Sequence, residues 1–282
     1  MAEILKGAPV ASALNEKTSA EIAKLLEKGI KPCLAVLRVG LNEADESYIR
    51  GIMKRAEALG VEAVVRALPE DAAEDAVMAL IDELNNDTNI HGVLMMRPLP
   101  RHIDEDKARR ALKPEKDMDG ITDVALGGVF SGNNIGYAPC TAQSCIEILD
   151  HYGVDLKGKK VCVIGRSLVI GKPVSMMALG KNATVTICHS RTENLAETVK
   201  NADVVIAAVG KAGFVTGDMV SEGTVVMDVG INRNAEGKLC GDVDYDSVKE
   251  VASFITPVPG GVGPMTITML MYNTLQAFKN SL

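Results

Sequence analysis

The stretch Phe254-Ile-Thr-Pro-Val-Pro-Gly-Gly-Val-Gly-Pro-Met-Thr266 constrains this chain more than any other. It gathers Pro257, Pro259 and Pro264 with Gly260, Gly261 and Gly263 in one short segment. Before it, Ser253 to Val258 reads as a strand; after it, Ile267, Leu270, Met271, Leu275 and Phe278 recur at helical spacing. Glycine lets a backbone approach a flat ligand or take positive φ, and proline stiffens the loop that does so. A stiff loop poor in side chains, placed after a strand, is where open α/β sheets hold ligands. A plain strand-to-helix connection would not need so many of both residue types.

The chain has 282 residues, more than one hydrophobic core usually serves, so two domains are expected. No apolar run approaches the length that spans a bilayer, and Met1 to Gly29 has acidic residues in a helical pattern instead of a signal peptide, which predicts a cytoplasmic protein with no membrane partner. A net charge of -7 without a basic block, with aromatics at 3% and no Trp, argues against nucleic acid. Cys33, Cys140, Cys145, Cys162, Cys188 and Cys240 form no CxxC pair and read as reduced core residues. His91, His102, His151 and His189 match no ligand spacing, so no metal is expected.

Along the chain, strand and helix alternate. A helix from Pro9 to Lys28 stops at Gly29, and Pro32 to Val39 is a near-continuous apolar strand of the type buried in parallel sheets. Helix Glu43–Leu59, strand Val61–Leu68, helix Ala72–Leu84 and strand Gly92–Met96 follow, the last running into Arg97-Pro-Leu-Pro100. Ala108 to Val129 reads as irregular and includes the acidic turn Lys116-Asp-Met-Asp-Gly120. Pro139 to His151 is a helix leading to a second α/β array, with strands Lys159–Gly165, Ala183–Cys188, Asp203–Val209 and Thr224–Val229. The predicted fold is α/β throughout: an N-terminal parallel-sheet domain (1–138, joined by the returning helix 267–282) and a Rossmann-like, doubly wound dinucleotide domain (139–266).

In that second array, Gly165-Arg-Ser-Leu-Val-Ile-Gly171 follows a buried strand and precedes a helix that has Pro173 near its first turn. It is not GxGxxG, yet a helix N-terminus there suits a phosphate. After the next strand an NAD site usually presents Asp or Glu to the ribose; this chain has His189-Ser-Arg-Thr192, with Arg166 in the glycine turn. Cations and hydroxyls without an acid predict NADP.

These residues together resemble the methylenetetrahydrofolate dehydrogenase/cyclohydrolase family over essentially the whole chain. The motifs are Val39-Gly40 with Tyr48, Arg97-Pro-Leu-Pro100 in part, Lys116 to Gly120, Pro139-Cys-Thr141, Gly165-Arg-Ser with Gly171-Lys-Pro173, and Pro259 to Thr266. The resemblance implies a folate cleft between two domains and a homodimer. It also implies NADP-dependent oxidation of 5,10-methylenetetrahydrofolate to the methenyl cation, then hydrolysis to 10-formyltetrahydrofolate. Its sites fall here on Tyr48, Asp119, Pro259, Gly260, Gly261 and Gly263 for folate, and on Thr141, Gly165, Arg166, Ser167, Gly171, Pro173, Ser190, Arg191 and Ile231 for the cofactor.

Three positions depart from the family. Its catalytic lysine, four residues after the tyrosine, is Ile52 here; its serine is Asp45; its third-strand glutamine is Met96, followed by Arg97. Lys54 points to nearly the opposite side of the helix, and Arg55, closer in direction, stays protonated. Oxidation removes hydride and needs alignment more than a base, whereas hydrolysis moves protons. The expectation is therefore a dehydrogenase whose cyclohydrolase step is lost or weak. The alternatives are a bifunctional enzyme with compensating residues, a non-catalytic dinucleotide or folate sensor, and a related oxidoreductase with another carrier.

Overall fold

The computed structural model describes residues 1–282 except Lys28, Ile30, Leu41, Asn42 and Asn134, and only the backbone of Glu43 and Ala44. The predicted helix end at Lys28 lies outside the described residues. The chain forms two α/β units: residues 13–128, 133–140 and 267–282 around a three-stranded sheet, and residues 1–12, 129–132 and 141–266 around a six-stranded one.

The six-stranded unit begins at the N-terminus. β1 (Glu3–Ile4) lies parallel to β11 (Phe254–Ile255), with Glu3 opposite Phe254, and the chain then enters α1 (Gly7–Leu26). Residues 1–12 therefore belong with the dinucleotide array, not with the N-terminal domain that sequence reading placed them in. Two paired residues have no periodicity of their own, and the sheet edge that receives them lies some 250 positions on, roughly the span that sequence windows cannot see.

In the other unit, β2 (Cys33–Val39) pairs in parallel with β3 (Glu62–Leu68) and with β4 (Gly92–Met95). Cys33 to Leu37 are buried, the pattern of a central parallel strand covered on both faces. α2 (Glu43–Leu59) and α3 (Glu74–Asn86) connect these strands, and Val77, Leu80, Ile81 and Leu84 of α3 pack with Ala35, Leu37 and Val93.

The segment expected to be irregular holds α4 (Glu105–Ala111), a 3-10 turn (Pro114–Lys116) and α5 (Asp123–Ser131). Helices this short are marginal alone, and tertiary bonds stabilise them. Asp104 caps α4 by accepting from Lys107 N at 3.0 Å, and the buried Arg109 donates to Asp123 Oδ1 at 2.6 Å and to Ile121 O at 2.9 Å.

α6 (Cys140–His151) leads to the strands of the second array: β5 (Lys160–Ile164), β6 (Thr184–Cys188), β7 (Val204–Ala207) and β8 (Val225–Asp228). α7 (Gly171–Gly180) and α8 (Leu195–Lys200) are the crossovers on either side of β6. The order β1-β11-β8-β7-β5-β6 is parallel throughout, and the sheet grows in opposite directions from β5, so its switch point lies between β5 and β7. A small hairpin, β9 (Asn232–Arg233) with β10 (Leu239–Cys240), projects after β8, followed by α9 (Tyr245–Val248).

The closing helix α10 runs from Gly263 to Ser281, starting four residues earlier than the returning helix 267–282 read from the sequence. Pro264 fits a first helical turn, where its missing N–H costs nothing. The strand before it is shorter than read: only Phe254 and Ile255 pair, and Thr256 already serves the loop. Among the described residues no helix is long and apolar enough to cross a membrane.

Candidate active site and cofactor domain

At the switch point of the six-stranded sheet, Gly165 follows β5 with φ of 134°. A methyl group on it would press on the Ala208 carbonyl carbon at 3.1 Å, and one on Gly171 would lie 2.5 Å from Gly165 C and 2.7 Å from Arg166 N. Only glycine allows the turn and the start of α7 to approach this closely. Gly171→Ala should therefore open the turn: we expect a loss of about 1–3 kcal/mol of stability from overpacking, read by thermal unfolding, with a raised KM for the dinucleotide.

The helix N-terminus offers fewer free donors than the sequence suggests. Lys172 N already donates to Ser167 O at 3.0 Å, Ile170 N to Ser167 Oγ at 3.2 Å, and Pro173 has no N–H. The polar groups that this turn presents outward are those of the exposed Arg166 and Ser167. β5 and β6 pair Ile164 with Cys188, so Arg166 leaves the sheet beside His189, Ser190 and Arg191. The His189–Thr192 turn is closed by His189 N to Thr192 Oγ1 at 2.8 Å and Thr192 N to His189 O at 2.8 Å, leaving Ser190 and Arg191 exposed. No carboxylate occupies this turn.

Farther along the same sheet edge, Asp228, Gly230, Ile231 and Leu239 line a cavity of about 280 Å³ together with Pro257 to Pro264. The structure thus joins Pro259, Gly260, Gly261 and Gly263, read from sequence as folate contacts, to Ile231, read as a cofactor contact. Ile231 is 71% exposed. Thr141 is half-buried in the first turn of α6.

The three-stranded unit holds a separate polar group. Arg97, just past β4, directs Nη2 to Asp119 Oδ2 at 3.6 Å and Nη1 to Glu105 Oε1 at 3.9 Å, while Glu105 Oε2 accepts from Leu99 N at 2.9 Å. Burial pushes the Asp119 carboxyl up to about 6; Arg97 opposes the rise and Asp117 adds to it. Cys140, fully enclosed, donates to Met118 O at 3.2 Å, and Asn273 of α10 donates to the same carbonyl at 3.0 Å. These bonds fix the backbone beside Asp119. Asn273 was not legible as part of this group: in sequence it is one polar residue within an apolar helical stripe.

On α2, Tyr48 is half-buried and Ile52, one turn on, has no exposed surface. Ile52 is thus a packing residue, and the structure gives it no polar role. Lys54 is exposed, Arg55 and Asp45 half-buried, and Met96 half-buried with its N–H on Leu37 O at 2.8 Å.

Residues 5–119 match the sequence model of the tetrahydrofolate dehydrogenase/cyclohydrolase catalytic domain, and residues 139–282 that of the NAD(P)-binding domain of the same family. The bifunctional protein FolD of Listeria innocua is 47% identical over 279 residues, 99% of this chain and 98% of that one. The bifunctional FolD dehydrogenase/cyclohydrolase of Campylobacter jejuni superposes with a TM-score of 0.97 at 40% identity, covering 100% of both chains. The FolD of Trypanosoma brucei, solved with NADP and an inhibitor, gives 0.93 at 36% identity over 99% and 98% of the two chains. The glycine cradle is therefore that of an NAD(P)-binding domain, and the chain as a whole belongs to the tetrahydrofolate dehydrogenase/cyclohydrolase family.

Proposed function

We propose that this protein oxidises 5,10-methylenetetrahydrofolate with NADP. Asp119 carries the reading of the substrate: a carboxylate on a backbone clamped by Cys140 and Asn273 suits the row of N–H donors on a pterin. The cofactor domain fits NADP because Arg166, Ser190 and Arg191 stand exposed where an NAD site would place an acid. When bound, the nicotinamide accepts the hydride. The protein's part is alignment: Asp119 of the three-stranded unit would orient the pterin, and within the six-stranded unit the loops carrying Ile231 and Gly260 to Gly263 line a cavity of their own. Loss of hydride from the methylene carbon is assisted by the neighbouring nitrogen lone pair, so no side-chain base is required.

The second activity named for the relatives is less well provided for. Hydrolysis of the methenyl cation must deprotonate an attacking water and protonate a ring nitrogen, and Ile52 offers nothing to either step. We therefore place cyclohydrolase activity well below dehydrogenase activity. The opposing reading, a fully bifunctional enzyme, is favoured by the names of relatives 46–49% identical to this chain. It would route the protons through Asp119, the group in the Arg97 cluster lifted toward neutrality. A cytoplasmic homodimer accompanies the proposal through the family resemblance, and sedimentation tests the dimer.

NADPH formation from methylenetetrahydrofolate tests the dehydrogenase; its absence would sink the proposal. Replacing NADP by NAD, or Arg191 by Ala, should cost about ten- to a hundredfold in kcat/KM, the worth of one charge-assisted hydrogen bond at ~1.5–3 kcal/mol. Equal efficiency with the two cofactors would remove the role given to Arg191.

A further inference from the structure

Two carboxylates in the six-stranded unit are buried and saturated with hydrogen bonds. Asp242 has no exposed surface and Asp228 is 3% exposed. Asp242 Oδ2 accepts from Val209 N at 2.6 Å and Gly210 N at 3.0 Å; its Oδ1 accepts from Lys211 N at 2.9 Å and from Asn232 Nδ2 at 2.8 Å. Asp228 Oδ1 accepts from Gly230 N at 3.0 Å and Asp242 N at 2.9 Å, and Oδ2 from Val243 N at 3.1 Å. The Asp228 backbone N–H reaches Thr256 Oγ1 at 2.7 Å.

These bonds join three loops that leave the sheet at the same edge: 208–211 after β7, 229–232 after β8 and 256–263 after β11. Gly230 and Gly241 have no room for a side chain, since a Cβ on either would collide with the carboxylate of Asp242 or Asp228 respectively. A chain that only needed to close these loops would not bury two like charges side by side, because each is costly to desolvate without this many donors.

The geometry points to Asp242 as a positioning residue for hydride transfer: by tying the loop after β7 to Asn232, it fixes Ile231 and Gly230 on the wall of the cavity beyond the switch point, which we assign to the nicotinamide half of the dinucleotide. Asp242 does not line the cavity, so it acts through the residues that do. The inference rests on the proposed NADP site in this unit. It concerns the loops at the ends of β7 and β8, whereas the adenosine half is assigned to the turns after β5 and β6. The two halves can therefore be uncoupled.

The test compares the wild type, Asp242→Asn and Asn232→Ala. Asn in place of Asp242 confronts at least one of four donors with an N–H instead of an oxygen, and a displacement near 1 Å at a reacting centre costs on the order of 10²-fold. We expect kcat to fall about ten- to a hundredfold and the isotope effect with dideuterated methylene substrate to rise, while affinity for adenosine 2′,5′-bisphosphate is unchanged. Asn232→Ala removes one of the four bonds and should move kcat and the isotope effect in the same direction, less far. It keeps the test decisive if Asp242→Asn does not fold. Unchanged kcat and isotope effect in both variants, or weakened adenosine 2′,5′-bisphosphate binding in step with kcat, would overturn the positioning role. A wild type that neither binds adenosine 2′,5′-bisphosphate nor forms NADPH would instead remove the NADP reading beneath it.

Discussion

Methenyltetrahydrofolate given to the purified protein should be hydrolysed about 10²–10⁴-fold more slowly than by a family member with lysine one helical turn after the tyrosine, the usual worth of general acid–base catalysis. Ile52 occupies that place with no exposed surface. Of the nearby cations on α2, Lys54 is exposed, and Arg55 is half-buried and carries a guanidinium, which offers hydrogen-bond donors but no base. Methylene oxidation should survive the same change, because it depends on alignment. Measuring the two products separately, above the rate in buffer, decides the matter. Hydrolysis matching a lysine-bearing relative would establish the bifunctional reading. Asp119→Asn would then have to abolish hydrolysis if that carboxylate carries the protons. Ile52→Lys should lower the unfolding temperature, since an ammonium replaces a fully buried hydrocarbon.

The second large effect belongs to Asp119 and its dependence on pH. Burial raises its folded pKa to about 6 from an ordinary 3.8, so the carboxylate proposed to accept from the pterin is lost as pH falls through that midpoint. Substrate kcat/KM should drop about tenfold per pH unit below it, and Asp119→Asn should flatten that limb at a level about 10²-fold or more lower, two charge-assisted bonds at ~1.5–3 kcal/mol each being weakened. The sign for stability is the reverse. A raised carboxyl pKa gives stability that is present below 3.8 and lost as pH rises through about 6. The Asn variant should therefore be no less stable than wild type at neutral pH, which separates lost recognition from lost folding. Arg97→Leu removes the charge that opposes the rise, and an opposite charge at this range is worth about 1–3 pKa units. The acid limb should move up toward neutrality. A limb that stays in place would show that Arg97, at 3.6 Å, does not hold Asp119 ionised.

Much of the architecture was legible because its signals are local. β2, β7 and β8 are nearly all apolar because parallel strands are covered on both faces, and the glycines at 165 and 171 mark a backbone contact that no side chain can enter. The same local reading missed α4 and α5, whose polar residues find partners elsewhere in the chain, such as Arg109 with Asp123. It also gave the helix end after the glycine turn donors that Ser167 had already taken.

Sequence alone determined the alternation of strands and helices, the family, the missing acid after β6 and the hydrocarbon at position 52; each depends on a residue type at a place in a pattern. Tertiary structure decided which edge receives residues 1–12, that Arg97 faces Asp119 across 22 positions of chain, and that the Asp228 and Asp242 carboxylates collect donors from residues 209–211, 230–232 and 242–243. The physical reason is that burial and charge act through space: a carboxylate's pKa and its partners follow from what packs around it, and no periodicity along the chain encodes that.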